Sequence, residues 1–167
     1  MYSSVDGVLF NKNRTKVIKY PENKQKETYS IPAGVTTVES RAFTHCSTIK
    51  SIRIPEGVTS INVDAFYGCS NLRAVTIPSS VITIGYMAFA FCYGLTEINL
   101  QEGVRTIVEG AFIDCLSLES INIPSSVTSV GEDAFNGCQN LTSVTLSRKT
   151  KVGTRAFPET TQIIYVD

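Results

Sequence analysis

The chain holds 167 residues, 43% of them hydrophobic and 18% charged, with 15 Lys/Arg against 15 Asp/Glu. That length and apolar content suit one domain with a continuous core and exclude a disordered chain. The zero formal charge removes the simple electrostatic case for nucleic-acid binding, and no apolar run approaches the roughly 18 residues that a membrane-crossing helix needs, so neither nucleic acid nor membrane insertion is expected.

The first predicted element is a hairpin. Val5-Asp6-Gly7-Val8-Leu9-Phe10 and Lys16-Val17-Ile18-Lys19-Tyr20 read as strands around the polar turn Asn11 to Thr15. Met1 to Phe10 shows no basic segment followed by a long apolar one, so no secretory signal is expected within this chain. Pro21 to Thr28 reads as a charged connector. Residues 1–29 are therefore assigned as a cap with its connector, and residues 30–167 as a second, larger unit. The lysines of the cap discourage edge-to-edge pairing; a ligand site is the alternative use of the same charges.

From Ile31-Pro32 the chain repeats. Ala-Phe recurs with Phe43, Phe66, Phe89, Phe112 and Phe135, each step being 23 residues, and Ala156-Phe157 follows after 22. Three residues beyond those five Phe stand Cys46, Cys69, Cys92, Cys115 and Cys138. Apolar columns follow at Ile49/Leu72/Leu95/Leu118/Leu141, then Ile52/Val75/Ile98/Ile121/Val144, then Ile54/Ile77/Leu100/Ile123/Leu146. The alternation in Ile121-Asn122-Ile123 is that of a half-buried strand. Pro55, Pro78 and Pro124 come directly after that strand, where a residue without an N–H ends the ladder; Gln101 and Ser147 hold the slot elsewhere. Pairs such as Val58/Ile61 and Val81/Ile84 then point inward, and the Ala-Phe segment reads as a short helical or 3-10 turn. One such coil cannot bury its own apolar set, but stacked coils can. Spaced about 4.8 Å apart, six coils make a solenoid of roughly 30 Å. Its strands would pair in parallel on one face, with loops on the other, and curve the sheet.

The run Leu72, Val75, Ile77, Pro78, Val81, Ile84, Gly85, Ala88, Phe89, Cys92 resembles the BspA-type leucine-rich repeat, and the likeness covers about residues 30–166. It implies an α/β solenoid: a right-handed leucine-rich-repeat superhelix, strand-rich with short helical or 3-10 turns, a curved parallel sheet and an N-terminal β-hairpin cap. The Asp-Gly-Val-Leu-Phe hairpin resembles the lead-in before such repeats. The resemblance further implies a non-enzymatic interaction module: a microbial surface or secreted protein that adheres to host extracellular matrix or to cell-surface proteins. A structural spacer or assembly segment of a larger surface protein is the alternative.

At the far end Ile163 and Val166 take the strand columns, and Thr160 stands where Cys would be. Either this strand is a sufficient lid, or more chain follows in a longer protein, or the edge packs on a partner, including a second copy.

The five Cys repeat in one column, so they point the same way at coil spacing. A disulfide needs a closer, twisted approach, and tetrahedral zinc needs four convergent ligands. They read, with the five Phe, as a structural ladder whose thiols bond loop carbonyls. His45, the one histidine, shares a variable slot with Gly68, Phe91, Asp114 and Gly137 and reads as a loop residue. No phosphate loop, metal-ligand set or nucleophile elbow appears, so no cofactor, metal or catalytic residue is assigned.

Charge is uneven. Residues 1–53 carry nine Lys/Arg and four Asp/Glu, residues 54–147 two and nine, and the remainder four and two. The strand face inherits this: Lys50, Arg53 and Arg73 lie toward one end and Glu97 and Glu119 in the middle, with Thr76, Asn99 and Asn122 among them. These eight are the candidate binding residues, suited to hydrogen-bonding an extended polar partner. Tyr67, Tyr86, Phe91 and Tyr93 crowd the loop side instead. They are either packing between coils or an exposed patch.

Overall fold

The computed structural model describes residues 1–166; Asp167, the last residue assigned to the repeat unit, lies outside the described residues. Tyr2–Val5 (β1), Val8–Asn11 (β2) and Lys16–Lys19 (β3) form an antiparallel meander, with Val5 opposite Val8 and Phe10 opposite Val17. The hairpin read from the sequence is β2–β3, and β1 adds a strand outside it. From β3 onward every pairing is parallel. Thr28–Ser30 is β4, Thr37–Val38 β5, Ser51–Arg53 β6, Ser60–Ile61 β7, Ala74–Ile77 β8, Thr83–Ile84 β9, Glu97–Leu100 β10, Thr106–Ile107 β11, Ser120–Asn122 β12, Ser129–Val130 β13, Ser143–Ser147 β14, Lys151–Val152 β15 and Gln162–Val166 β16.

From β3 onward the odd- and even-numbered strands form opposite faces of a β-solenoid of about seven turns. The order β3-β5-β7-β9-β11-β13-β15 continues the meander in one nine-stranded sheet. The longer strands form the facing layer, as a four-stranded sheet β4-β6-β8-β10 and a three-stranded sheet β12-β14-β16. The second face is thus pleated rather than loop-only, because inward Val38, Ile61, Ile84, Ile107 and Val130 hold register at one residue per coil. β3 and β4 supply a pair of strands ahead of Ile31, where the sequence reading began its first full coil.

The strand ends follow the slot after them. Pro78 follows β8 and cannot donate, whereas Gln101 N–H donates to the Ile77 carbonyl at 3.1 Å. Where Ser147 holds the slot, β14 runs on to five residues and pairs Ser147 with Val166.

The expected helical turns are absent: among the described residues there is no helix, and the α/β class gives way to an all-β solenoid. Backbone handedness is the reason. Arg41, Asp64, Met87, Asp133 and Arg155, each just before Ala, have φ of 60°, 55°, 50°, 54° and 51°. His45, Phe91 and Asp114, each just before Cys, have φ of 58°, 59° and 56°. Two left-handed residues four apart interrupt any right-handed hydrogen-bond run. Alternate N–H groups turn sideways instead, while those between them close single turns on the residue three earlier. Arg41, Phe43 and His45 donate to the Val63, Ala65 and Tyr67 carbonyls of the next coil, at 3.0, 2.7 and 2.8 Å. Asp64, Phe66 and Gly68 do the same to Tyr86, Ala88 and Ala90.

The core is a set of files along the solenoid. The rings of Tyr20, Phe43, Phe66, Phe89, Phe112, Phe135 and Phe157 stack in sequence, with centroids 5.2, 4.9, 4.8, 5.2, 5.0 and 5.3 Å apart. The Ala of each Ala-Phe pair is buried beside them, where a larger side chain would hold the coils apart.

Candidate binding surface

The long-strand face carries all eight candidates, and all are exposed. Arg53, Thr76 and Asn99 are register neighbours across β6, β8 and β10. Glu97 belongs to the next column, beside Ala74 and Ser51. Lys50 and Arg73 are adjacent just ahead of β6 and β8, where Arg73 N–H donates to the Lys50 carbonyl at 2.9 Å. Asn122 lies on the three-stranded sheet opposite Thr145, and Glu119 comes just ahead of β12. The boundary between the two sheets therefore separates Glu97 and Asn99 from Glu119 and Asn122.

The charges differ in their freedom. Lys50 is spent on Glu27 of the preceding coil at 2.6 Å. Arg53 and Arg73 make no ion pair among the described residues. Arg53 and Thr76 alone of the eight meet in one hollow, about 350 Å³, walled by Pro55, Glu56, Pro78 and Gln101. A guanidinium, a hydroxyl, a carboxylate and an amide beside two prolines can hydrogen-bond a polypeptide backbone and seat a small apolar side chain.

Behind this face the five thiols are buried and free. Cys69, Cys92, Cys115 and Cys138 each donate to the carbonyl of the Phe 26 residues earlier, at 3.1, 3.2, 3.3 and 3.2 Å. Burial pushes the Cys46 thiol up to about 12 and raises Cys92 and Cys115. For Cys69 contact with the Cys92 thiol comes first, and burial adds to it. The thiolate form needed for a nucleophile or a metal ligand is thereby disfavoured. No group of three or more His, Cys, Asp or Glu converges on one point among the described residues.

A second polar and aromatic surface lies on the Ala-Phe side. His45 packs edge-on against Tyr67, Tyr67 against Phe91, and Phe91 against Tyr93, with centroids 5.5, 5.1 and 6.2 Å apart. Beside them Arg41 Nε donates to Asp64 Oδ2 at 3.2 Å, and the Thr44 hydroxyl to the Asp64 carbonyl at 3.0 Å. The aromatics stood out in the sequence, but Arg41 and Asp64 did not; their signal is opposite charge one 23-residue period apart.

Parallel strands stacked at one residue register, a continuous phenylalanine file and a cysteine file bonded to backbone define a leucine-rich-repeat solenoid. The chain belongs to the BspA type leucine rich repeat region family, whose six-copy model matches residues 19–142 and 60–167. Among solved structures it is similar to a leucine-rich repeat protein from Eubacterium ventriosum, with 27% identity, a TM-score of 0.78, and coverage of 98% of this chain and 48% of that one. A leucine rich cell surface protein from Faecalibacterium prausnitzii is 28% identical at a TM-score of 0.66, over 99% of this chain and 40% of that one. The leucine-rich repeat protein of T. pallidum shares the fold at 23% identity and a TM-score of 0.76, over 99% and 82% of the two chains. The chain spans less than half the length of the first two relatives. No curated protein matches it.

Proposed function

We propose that the chain is a non-enzymatic protein-interaction module whose long-strand face receives an extended segment of a partner protein. The observation that carries this is the in-register exposure of Arg53, Thr76 and Asn99, with Arg53 in no ion pair among the described residues and set in a hollow against Thr76. The setting we propose is adhesion by a microbial surface or secreted protein to extracellular-matrix or cell-surface proteins. Membership of the BspA-type family and similarity to a leucine rich cell surface protein support it. The test is solid-phase binding to immobilised extracellular-matrix proteins. The intact chain should bind, and Arg53→Glu with Arg73→Glu should weaken binding roughly tenfold or more, about 1.4 kcal/mol. Binding unchanged by the double reversal, or no binding to any matrix protein, refutes this reading.

A spacer or assembly role is the second reading, favoured by the exposed apolar residues Ile164, Tyr165 and Val166 on β16. Sedimentation that depends on concentration would select it over a monomeric binder.

A further inference from the structure

We propose that the aromatic trough on the Ala-Phe side is a carbohydrate site, taking the pyranose ring of a neutral glycan. Two hollows of about 440 and 480 Å³ share His45 and Tyr67 and run together across three successive coils. Tyr67, Tyr86, Phe91 and Tyr93 wall them, and Tyr86 and Tyr93 are 37% and 45% exposed. Aromatic rings present an apolar face with a polar tip, which matches the C–H face and hydroxyl rim of a sugar. The trough's charges, Arg41 and Asp64, pair with each other at 3.2 Å. The guanidinium and carboxylate charges thus cancel within the lining, and its complement is a neutral ligand. A guanidinium and a carboxylate side by side still offer a planar donor and acceptor set for adjacent hydroxyl groups.

The scaffold does not require these aromatics. The Tyr93 slot holds Ser47, Ser70, Leu116 and Gln139 in other coils, and the Tyr86 slot holds Val63, Glu109 and Glu132. The Phe91 slot holds Gly68 and Gly137, yet Phe91 occupies it at φ 59°. Non-glycine residues fill the same left-handed slot in two other coils, His45 at φ 58° and Asp114 at φ 56°, so the backbone there does not dictate an aromatic ring. This site lies on a different face from Arg53 and Arg73, so it stands or falls apart from the protein-binding reading.

The experiment is an array of neutral and sialylated glycans followed by NMR titration of the labelled chain with lactose, chitotriose and maltotriose to about 10 mM, above the millimolar Kd of a weak site. The expected result is binding to at least one neutral glycan, with shifted resonances confined to the trough. Tyr93→Ala and Phe91→Gly should weaken it roughly tenfold, while Arg73→Glu leaves it unchanged. Phe91→Gly restores the residue that two sister coils use, so its circular dichroism and melting should stay native-like. Three results would each overturn the proposal: no glycan moves the trough resonances, binding survives Phe91→Gly, or only sialylated glycans bind. Trough resonances that shift on dilution of the protein alone would also overturn it, because they would assign the surface to a second copy.

Discussion

Phe89 shows what each repeat residue contributes. It is fully buried and stacked between Phe66 and Phe112, at 4.8 and 5.2 Å. Truncation would leave a gap that rigid neighbouring coils cannot close. Phe89→Ala should therefore cost about 3–5 kcal/mol. Arg73→Ala, exposed and without an ion pair among the described residues, should stay within about 0.5 kcal/mol. Denaturant unfolding of the two variants checks the order. The thiols add a pH signature. A group whose folded pKa is raised stabilises the fold fully below its unfolded pKa, and that contribution fades as pH climbs through the folded value. Cys46 rises from 9.0 to about 12, and half-buried Tyr29 from 10.0 to about 12. The melting temperature should thus hold between pH 7 and 9 on the thiol account and fall from pH 9 toward 12. A thiol reagent at pH 8 should find no accessible Cys until denaturant is added. A midpoint rising with pH across that window would contradict the assignment.

At the scale of the element, the deciding feature is how closely successive coils approach. Gly103 follows β10 at φ 136°, a region open to glycine and strained for any other residue. A Cβ there would also run into the Ser79 carbonyl of the preceding coil. Gly103→Ala should cost about 2 kcal/mol or more, since it combines backbone strain with a clash that only a coil shift relieves. Gly57 has the same handedness, at φ 102°, but nothing within 4 Å of a Cβ. Gly57→Ala should therefore be milder by at least the clash. Comparing their unfolding midpoints isolates it, and equal losses would show that coil contact contributes nothing. The same close approach explains the Ala-Phe segment. With every second N–H committed to the next coil, and the others closing single turns such as Ala42 on Glu39 and Cys46 on Phe43, it cannot run on as a helix.

At the scale of the whole molecule, stability is a sum over neighbouring coils. Ion pairs cross that boundary too: Lys16–Glu39, Arg41–Asp64 and Lys50–Glu27 each span 23 residues. They are exposed, so each adds at most about 1 kcal/mol and mainly holds register. Removing residues 93–115, one complete period, joins Cys92 to Leu116 and preserves every column. That deletion should give a folded, cooperatively melting solenoid with a lower midpoint. Removing half a period should abolish cooperative unfolding, because strand partners then face the wrong columns. Circular dichroism with chemical denaturation distinguishes the two. A half-period deletion that melts like the full-period one would mean the coils are not the unit of stability.

The repeat length, the inward files of Phe and Cys, the β2–β3 hairpin and the strand after each Leu were legible in the sequence alone. They depend on periodicity and burial, which residue type and spacing encode directly. The Phe, Cys and strand files keep one offset through five coils. Three things were decided only in three dimensions. The left-handed residues before Ala and Cys are Arg, Asp, Met, His and Phe more often than Gly, so composition did not announce them. The partner of a charge one period away depends on register: it spends Lys50 on Glu27 and, among the described residues, leaves Arg53 without an ion pair. The trough's aromatics stood out in the sequence, but the Arg41–Asp64 pair beside them, and the joining of three coils into one surface, did not. Local chemistry is written along the chain, but adjacency between coils comes from stacking, and both candidate surfaces consist of that adjacency.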